Sequence, residues 1–516
     1  TGSVGGKPIR ERKVNLPKGI SELDVPFEAV RYRAGKYDWN FVLRGADGRV
    51  LLSRNGTLTI TPRFDRDAYK VLSWGGYRDL SAAEMKELGV NAANLHAQRH
   101  YALQRELAEN GLNISMRVFN WRSFVPSDFN FAEIRAGVRS EFDHLRGLDA
   151  WTMSLMNSEM YSSGTTPIDL AARSPRWRAF AERSLVHGLP ETNRFGIASA
   201  HVDWKAVGRT PPSGVLGDVE PEIEALTWYY REGHMNYLGN RASQEELQRL
   251  SPGNLRWTEP VIETWNIAAH HDAICDWVYN VWSHETLTDV CGQYAWARGA
   301  GKPYFPLLSM AYEHNKKFFR ENPNLKDRSG NPERIFPCRT ADDLAITCWQ
   351  AVGAVPCHGF GFFAIDTWTR GVENVRKLGR DPEKLKGVVA EPEDQPKFAA
   401  FFRSKFLPAA ELLRDLPTVR AQIAVLQPVE SRYMTGWSGY LMHDEFCHTL
   451  GKVGLPYDVI PDAEITKERL SSYRYIILPR TTVVTRAHYE VLSSLPDTTL
   501  VVDAFSPAGL FPNAVR

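Results

Sequence analysis

From residue 69 onward, short apolar runs alternate with helical segments, and this alternation constrains the fold more than any other feature of the chain. Such runs are typical of parallel strands that are covered on both faces. Glycine follows the first two helical segments, at Gly89 and Gly111, where a helix end is expected. A repeat of this kind builds right-handed βαβ units. The predicted strands span residues 69–74, 90–96, 112–119, 150–159, 255–258, 276–282, 304–313 and 359–365.

Eight strands with intervening helices predict an α/β protein whose main domain is a (β/α)8 TIM barrel. The barrel is expected over residues 68–395, with a long insertion at about 162–226. A doubly wound open sheet is the alternative. Residues 1–67 are expected to form an N-terminal extension and a small antiparallel β unit, with hairpin turns at Asp47-Gly48 and Asn55-Gly56. Residues 396–516 contain further apolar runs and predict a flavodoxin-like α/β domain that continues beyond residue 516.

Composition limits the possible partners. The 62 basic and 61 acidic side chains nearly cancel, so we expect neither a nucleic acid nor an anionic membrane surface as a partner. A membrane span is not expected, because no apolar segment is long enough. The six cysteines include no Cys-x-x-Cys pair, which predicts buried free thiols and no structural zinc. We expect no metal site at His270-His271-Asp272 and no cofactor. The compartment stays open, with a periplasmic or secreted location preferred to a cytoplasmic one.

Polar, titratable and aromatic side chains gather where the predicted strands end. In a barrel, those carboxyl ends form the active-site face. Flat aromatic faces are also a common way to grip sugar rings. Each side chain taken singly is as compatible with a structural role as with ligand contact, so the concentration is the informative feature. The candidate ligand-binding residues are Trp74, His96, Arg99, Arg117, Asn120, Trp121, Asn157, Ser158, Trp282, His284, Glu285, Tyr312 and Trp368.

Two glutamates, Glu159 and Glu313, close the fourth and seventh apolar runs. Strands four and seven face each other across a barrel mouth. The two carboxyl groups could therefore lie about 5–5.5 Å apart, the separation that a retaining glycoside hydrolase requires. Glu259 and Glu285 also follow predicted strands and compete for these roles. Alternatively, either glutamate merely caps a helix or pairs with a local arginine.

The two strand ends resemble those of clan A glycoside hydrolases, in which Asn-Glu ends strand four and Glu ends strand seven. The domain layout is similar to that of glycoside hydrolase family 42, the β-galactosidase family, in which a flavodoxin-like domain helps to form trimers. The resemblance implies a carbohydrate substrate and a homo-oligomer, a trimer. It also implies that Glu159 is the acid/base, Glu313 the nucleophile and Asn157 the residue that binds the sugar 2-hydroxyl.

This sequence departs from the family pattern at three points. Ser158 separates Asn157 from Glu159, so either the serine takes the asparagine's place or a bulge restores Asn157 to it. The cysteine zinc cluster of many family members is absent, and the N-terminal β unit is atypical. We therefore expect the chain to belong to a divergent or separate family and to remove a terminal β-linked sugar. A non-catalytic carbohydrate-binding barrel and a structural assembly protein are the alternatives.

Overall fold

The fold is defined by a computed structural model. It describes residues 1–9, 13–15, 32–60, 64, 67–74, 80–95, 101–117, 131–145, 147–158, 213–217, 235–259, 271–278, 283–311, 339–377, 379, 381, 390–416, 419–427, 445–461, 464–479, 481–495, 499–502, 510–511 and 514–515.

Eight parallel strands close into a barrel, which confirms the predicted fold class and excludes the open sheet. Each strand pairs with the next one along the chain, and the eighth pairs with the first. Numbered one to eight in chain order, the barrel strands are Lys70–Trp74, Ala92–Leu95, Asn113–Arg117, Trp151–Ser158, Leu255–Glu259, Ala273–Val278, Tyr304–Ser309 and Gly359–Phe363.

Helices cover the outside of the barrel, and local sequence signals set several of their ends. Ser81 and Glu84 form a capping box at the start of the first helix, and Thr340 and Asp343 form one further on. Gly89 adopts the left-handed conformation predicted after the first helix. The helices described between barrel strands are Ala82–Glu87, Tyr101–Glu109, Phe131–Leu145, Met235–Leu250, Ser283–Gly299 and Ala341–Ala354.

The barrel has two apolar layers, which follow from the alternation of side chains along each strand. One layer fills the barrel interior and the other packs between strands and helices. After strand eight the helices are Ile365–Thr369, Gly371–Lys377, Asp394–Phe401 and Leu407–Arg414, with a π-helical turn at Phe402–Phe406 between the last two. Phe398, Phe402 and Phe406 of this segment belong to the outer barrel layer. The domain limits drawn from the sequence stay a prediction.

The C-terminal sheet is parallel and has the strand order 2-1-3-4-5, the order of flavodoxin-like folds. Two of its strands were not predicted, because Asp458 interrupts the apolar pattern of Tyr457–Pro461 and Ala514–Val515 has only 2 residues. In chain order the strands are Ile423–Gln427, Tyr457–Pro461, Tyr475–Leu478, Thr499–Val502 and Ala514–Val515; the helices are Glu445–Lys452, Lys467–Leu470 and Arg486–Ser493. A separate strand, Val483–Thr485, pairs with Gly214–Leu216 of the insertion after strand four.

The N-terminal unit is a four-stranded antiparallel sheet formed by Gly2–Val4, Lys7–Ile9, Gly35–Arg44 and Val50–Ile60. The turn predicted at Asn55-Gly56 is wrong, since both residues lie inside the continuous strand Val50–Ile60 and pair with Asn40 and Trp39. A Cβ at position 56 would stand 3.0 Å from the Trp39 ring. Glycine is therefore needed there for a close approach, not for a turn.

Strand six occupies Ala273–Val278, whereas the sequence predicted residues 276–282. The apolar run is longer than one strand, and pairing with strand seven, from Ile274 with Tyr304 to Val278 with Leu308, selects its first part. The following helix therefore begins at Ser283, so His284 and Glu285 lie in its first turn and not at a strand end.

Candidate active site

Aromatic side chains line the interior near the carboxyl ends of the barrel strands. Trp74 and Trp257 meet edge to face at 5.5 Å between ring centroids, and the Trp257 indole N–H donates to the Ser115 hydroxyl at 2.8 Å. Trp277 of strand six and Phe363 of strand eight are half-buried and pack against the same interior layer. These rings form an apolar aromatic floor at the carboxyl ends of the barrel strands.

The structure brings the backbones of several predicted residues to this face. Trp74 is the last residue of strand one and is 7% exposed. Arg117 ends strand three, and Asn157 and Ser158 end strand four. Eight further predicted residues, which include both candidate catalytic glutamates, lie outside the described residues: His96, Arg99, Asn120, Trp121, Glu159, Trp282, Tyr312 and Glu313.

Strand four contains a β-bulge just before its end. Its Leu155 pairs with Trp257, but the next pair joins Asn157 to Thr258, so Met156 is the extra residue. Met156 is buried in the outer layer, and Ser158 then pairs with Glu259. The bulge therefore falls before Asn157, and Ser158 keeps a place of its own in the paired strand, directly before residue 159.

The end of strand seven is held by backbone hydrogen bonds. The Met310 N–H donates to the Phe363 carbonyl at 3.0 Å, and the Met310 carbonyl accepts from the Arg339 N–H at 3.0 Å. The Ser309 hydroxyl donates to the Ala311 carbonyl, and all three residues from 309 to 311 are buried. The chain is thus firmly placed to within two residues of Glu313.

Trp368 does not offer a ring to ligands, contrary to its prediction as a binding residue. Its side chain is fully buried, its indole N–H donates to the Arg339 carbonyl at 2.8 Å, and its ring packs edge to face on Phe398 at 5.7 Å. Trp277, which the sequence argument did not select, instead projects into the interior layer at the end of strand six.

Asn94 is a second residue that the sequence argument missed. It lies on strand two, fully buried, between Cα partners Trp74 and Ser115. The sequence signal that could have identified it is a polar residue inside the apolar run Ala92-Ala93-Asn94-Leu95. An amide that such a strand buries needs a hydrogen-bond partner.

The described residues contain no group of three or more side chains that could hold a metal ion. Asp272 of the His270-His271-Asp272 motif accepts two hydrogen bonds from the Arg256 guanidinium, at 2.6 and 2.5 Å, and one from the Arg256 backbone N–H at 2.9 Å. Cys348 and Cys357 are buried free thiols, and burial raises the pKa of each. None of the described helices is long and apolar enough to cross a membrane.

Comparison with known proteins identifies the fold. No protein-family model matches the chain, and no curated protein matches its sequence. Among solved structures, a β-galactosidase from Rahnella sp. R3 superposes with a TM-score of 0.50 at 11% identity, over 86% of this chain and 72% of that one. Gan42B, a GH42 β-galactosidase from G. stearothermophilus, gives a TM-score of 0.50 at 13% identity, over 86% and 73%.

The chain therefore has a TIM-barrel fold of the kind found in glycoside hydrolases. Within that class the fold is similar to that of the GH42 β-galactosidases. Likeness at this level of identity extends to the fold alone, because one fold supports many activities.

Proposed function

We propose that this protein is a retaining glycoside hydrolase that removes a terminal β-linked sugar, with Glu159 as the acid/base and Glu313 as the nucleophile. The observation that carries the proposal is the placement of strands four and seven in one closed barrel. Strand four is paired through Ser158, directly before Glu159, and strand seven is held up to Ala311, two residues before Glu313. Both glutamates therefore follow rigid strands at the active-site face.

In the proposed mechanism Glu313 attacks the anomeric carbon while Glu159 protonates the leaving oxygen. Water then attacks the glycosyl–enzyme bond, with Glu159 acting as the base that removes its proton. Arg117, at the end of strand three beside strand four, would keep the nucleophile ionised. Trp277 and Phe363, the two half-buried rings of the aromatic floor, would support the apolar face of the sugar.

In clan A enzymes an asparagine precedes the acid/base glutamate, and here either Asn157 or Ser158 could take its place. The bulge at Met156 favours Ser158. A bulge that brought Asn157 next to Glu159 would have to exclude Ser158 from the pairing. Instead Ser158 is paired with Glu259, and the excluded residue is Met156. We therefore propose that Ser158 takes the asparagine's place as the hydrogen-bonding neighbour of the acid/base, although Asn157 holds that role in the family resemblance.

Substitution of each glutamate tests the mechanism. Glu313→Gln should abolish hydrolysis of every nitrophenyl β-glycoside that the wild type cleaves. Glu159→Gln should no longer cleave glycosides with poor leaving groups, because these must be protonated as they depart. It should still form the glycosyl–enzyme intermediate from dinitrophenyl glycosides, whose leaving group needs no protonation. Glu245→Gln is the matched control, since Glu245 is exposed on the helix Met235–Leu250 and has no part in the proposed site.

If Glu313→Gln hydrolyses the glycosides at the wild-type rate, the assignment of Glu313 as the nucleophile is wrong. Sugar binding without any hydrolysis by the wild type would support a non-catalytic carbohydrate-binding barrel. The trimer implied by the resemblance remains a prediction, which light scattering of the purified chain can check.

A further inference from the structure

Asn94 faces the barrel interior near the active-site end of strand two. Ala92, two residues earlier, belongs to the interior layer, while Ala93 and Leu95 belong to the outer layer. Side chains alternate along a strand, so Asn94 shares the interior face with Ala92. Its Cα partners are Trp74 and Ser115, the former in the aromatic floor.

Within the described part of the chain, the Asn94 amide makes no hydrogen bond through either its oxygen or its nitrogen, although the residue is 0% exposed. An amide buried in this way is strongly unfavourable, and such groups are rare in folded proteins. The Ser115 hydroxyl beside it accepts the Trp257 indole N–H. The described part of the barrel thus contains a buried polar group that it does not satisfy.

Asn113 shows what a structural asparagine looks like in the same barrel. It is buried at the opposite end of the adjacent strand three. Its amide nitrogen donates to the Asn91 carbonyl at 3.1 Å. Its oxygen accepts from the Thr152 hydroxyl at 2.8 Å. Among the residues that the structure describes, Asn113 therefore has hydrogen-bond partners for its amide and Asn94 does not.

We propose that Asn94 binds a hydroxyl group of the sugar and determines which sugars the site accepts; this rests on the proposed function. An amide offers both an acceptor and donors, and a hydroxyl needs one of each. A sugar without that hydroxyl would leave the amide unpaired, which is how a polar site rejects an analogue strongly. Because the amide is fully buried, a sugar hydroxyl can contact it only if neighbouring side chains move.

The test is Asn94→Leu, which keeps the side-chain volume and removes the polar atoms. We expect its melting temperature to equal or exceed that of the wild type, because an unpaired buried amide is lost. We expect kcat/KM for the best nitrophenyl glycoside to fall about tenfold to hundredfold, as for the loss of one hydrogen bond. On the deoxy analogue that lacks the bound hydroxyl, wild type and variant should be equal. Asn113→Leu is the matched control, with a lower melting temperature and unchanged kcat/KM.

Each outcome separates this inference from the proposed function. If Asn94→Leu keeps the wild-type kcat/KM for every glycoside of the panel, Asn94 does not bind the sugar, and the proposed hydrolase function is unaffected. A melting temperature several degrees below that of the wild type would mean that the amide has a structural partner, and would also overturn it. A wild type that neither cleaves nor is stabilised by any sugar of the panel would overturn both.

Discussion

Arg298, in the last turn of the barrel helix Ser283–Gly299, forms an ion pair with Asp458 on the second strand of the C-terminal sheet. The guanidinium also donates to the Tyr457 carbonyl at 2.8 Å. The other Asp458 oxygen accepts from the Tyr473 hydroxyl at 2.6 Å, and burial raises the pKa of that phenol. This buried polar network joins the barrel to the C-terminal domain.

Arg298→Ala should destabilise the protein by about 3–5 kcal/mol, because it leaves the Asp458 carboxylate buried without its charged partner. Urea unfolding measures the change. Lys397→Ala, which removes an exposed ion pair with Asp342, is the control and should cost less than about 1 kcal/mol. Equal effects of the two substitutions would show that the network does not hold the domains together.

Gly299→Ala should also weaken the contact between the domains. A Cβ at position 299 would stand 1.8 Å from the Val459 carbonyl oxygen, so the helix end or the strand must move. We expect a loss of about 1–3 kcal/mol in thermal or urea unfolding. Gly353→Ala, in a helix with open space around the new Cβ, should instead stabilise by up to about 1 kcal/mol. A neutral Gly299→Ala would contradict the close packing.

Ser158→Ala should lower kcat/KM more than Asn157→Ala, because the bulge at Met156 leaves Ser158 paired directly before Glu159. We expect a loss of about tenfold or more for the serine variant on substrates that carry a 2-hydroxyl. With 2-deoxy substrates the difference between the two variants should vanish. If Asn157→Ala instead lowers kcat/KM more than Ser158→Ala does, Asn157 is the hydrogen-bonding neighbour of the acid/base.

His358 should make the protein less stable as the pH falls. Burial lowers the pKa of its imidazole, as does nearby Arg414, while Asp415 acts in the opposite direction. The unfolded imidazole takes up a proton near pH 6.5 and the folded one only at lower pH. The unfolded state therefore binds more protons in that window, and the free energy of unfolding drops as the pH falls below about 6.5.

His358→Gln should remove this part of the pH dependence. Urea unfolding of wild type and variant at pH 7.5 and pH 5.5 gives the comparison. If both proteins lose the same free energy between the two pH values, His358 is not responsible for the decline.

Much of the fold could be predicted because its signals are local. The strand–helix alternation predicted the barrel, and the glycines at 89 and 111 marked helix ends that the structure confirms. The site residues could be predicted less well from the sequence. Trp368 carried the same local signal as Trp74, yet it packs on Phe398 behind the barrel wall. The roles of Glu159 and Glu313 stay predictions.

By itself the sequence determined which segments become strands or helices, since propensity, caps and apolar runs act over a few residues. Only the tertiary structure decided which part of a long apolar run pairs, as at Ala273–Val278, and whether Asn55-Gly56 turns or stays extended. It also decided that, among the described residues, the Asn113 amide has hydrogen-bond partners and the Asn94 amide does not. The physical reason is that strand register and hydrogen-bond satisfaction depend on partners distant in the chain, whose contacts outweigh local preference.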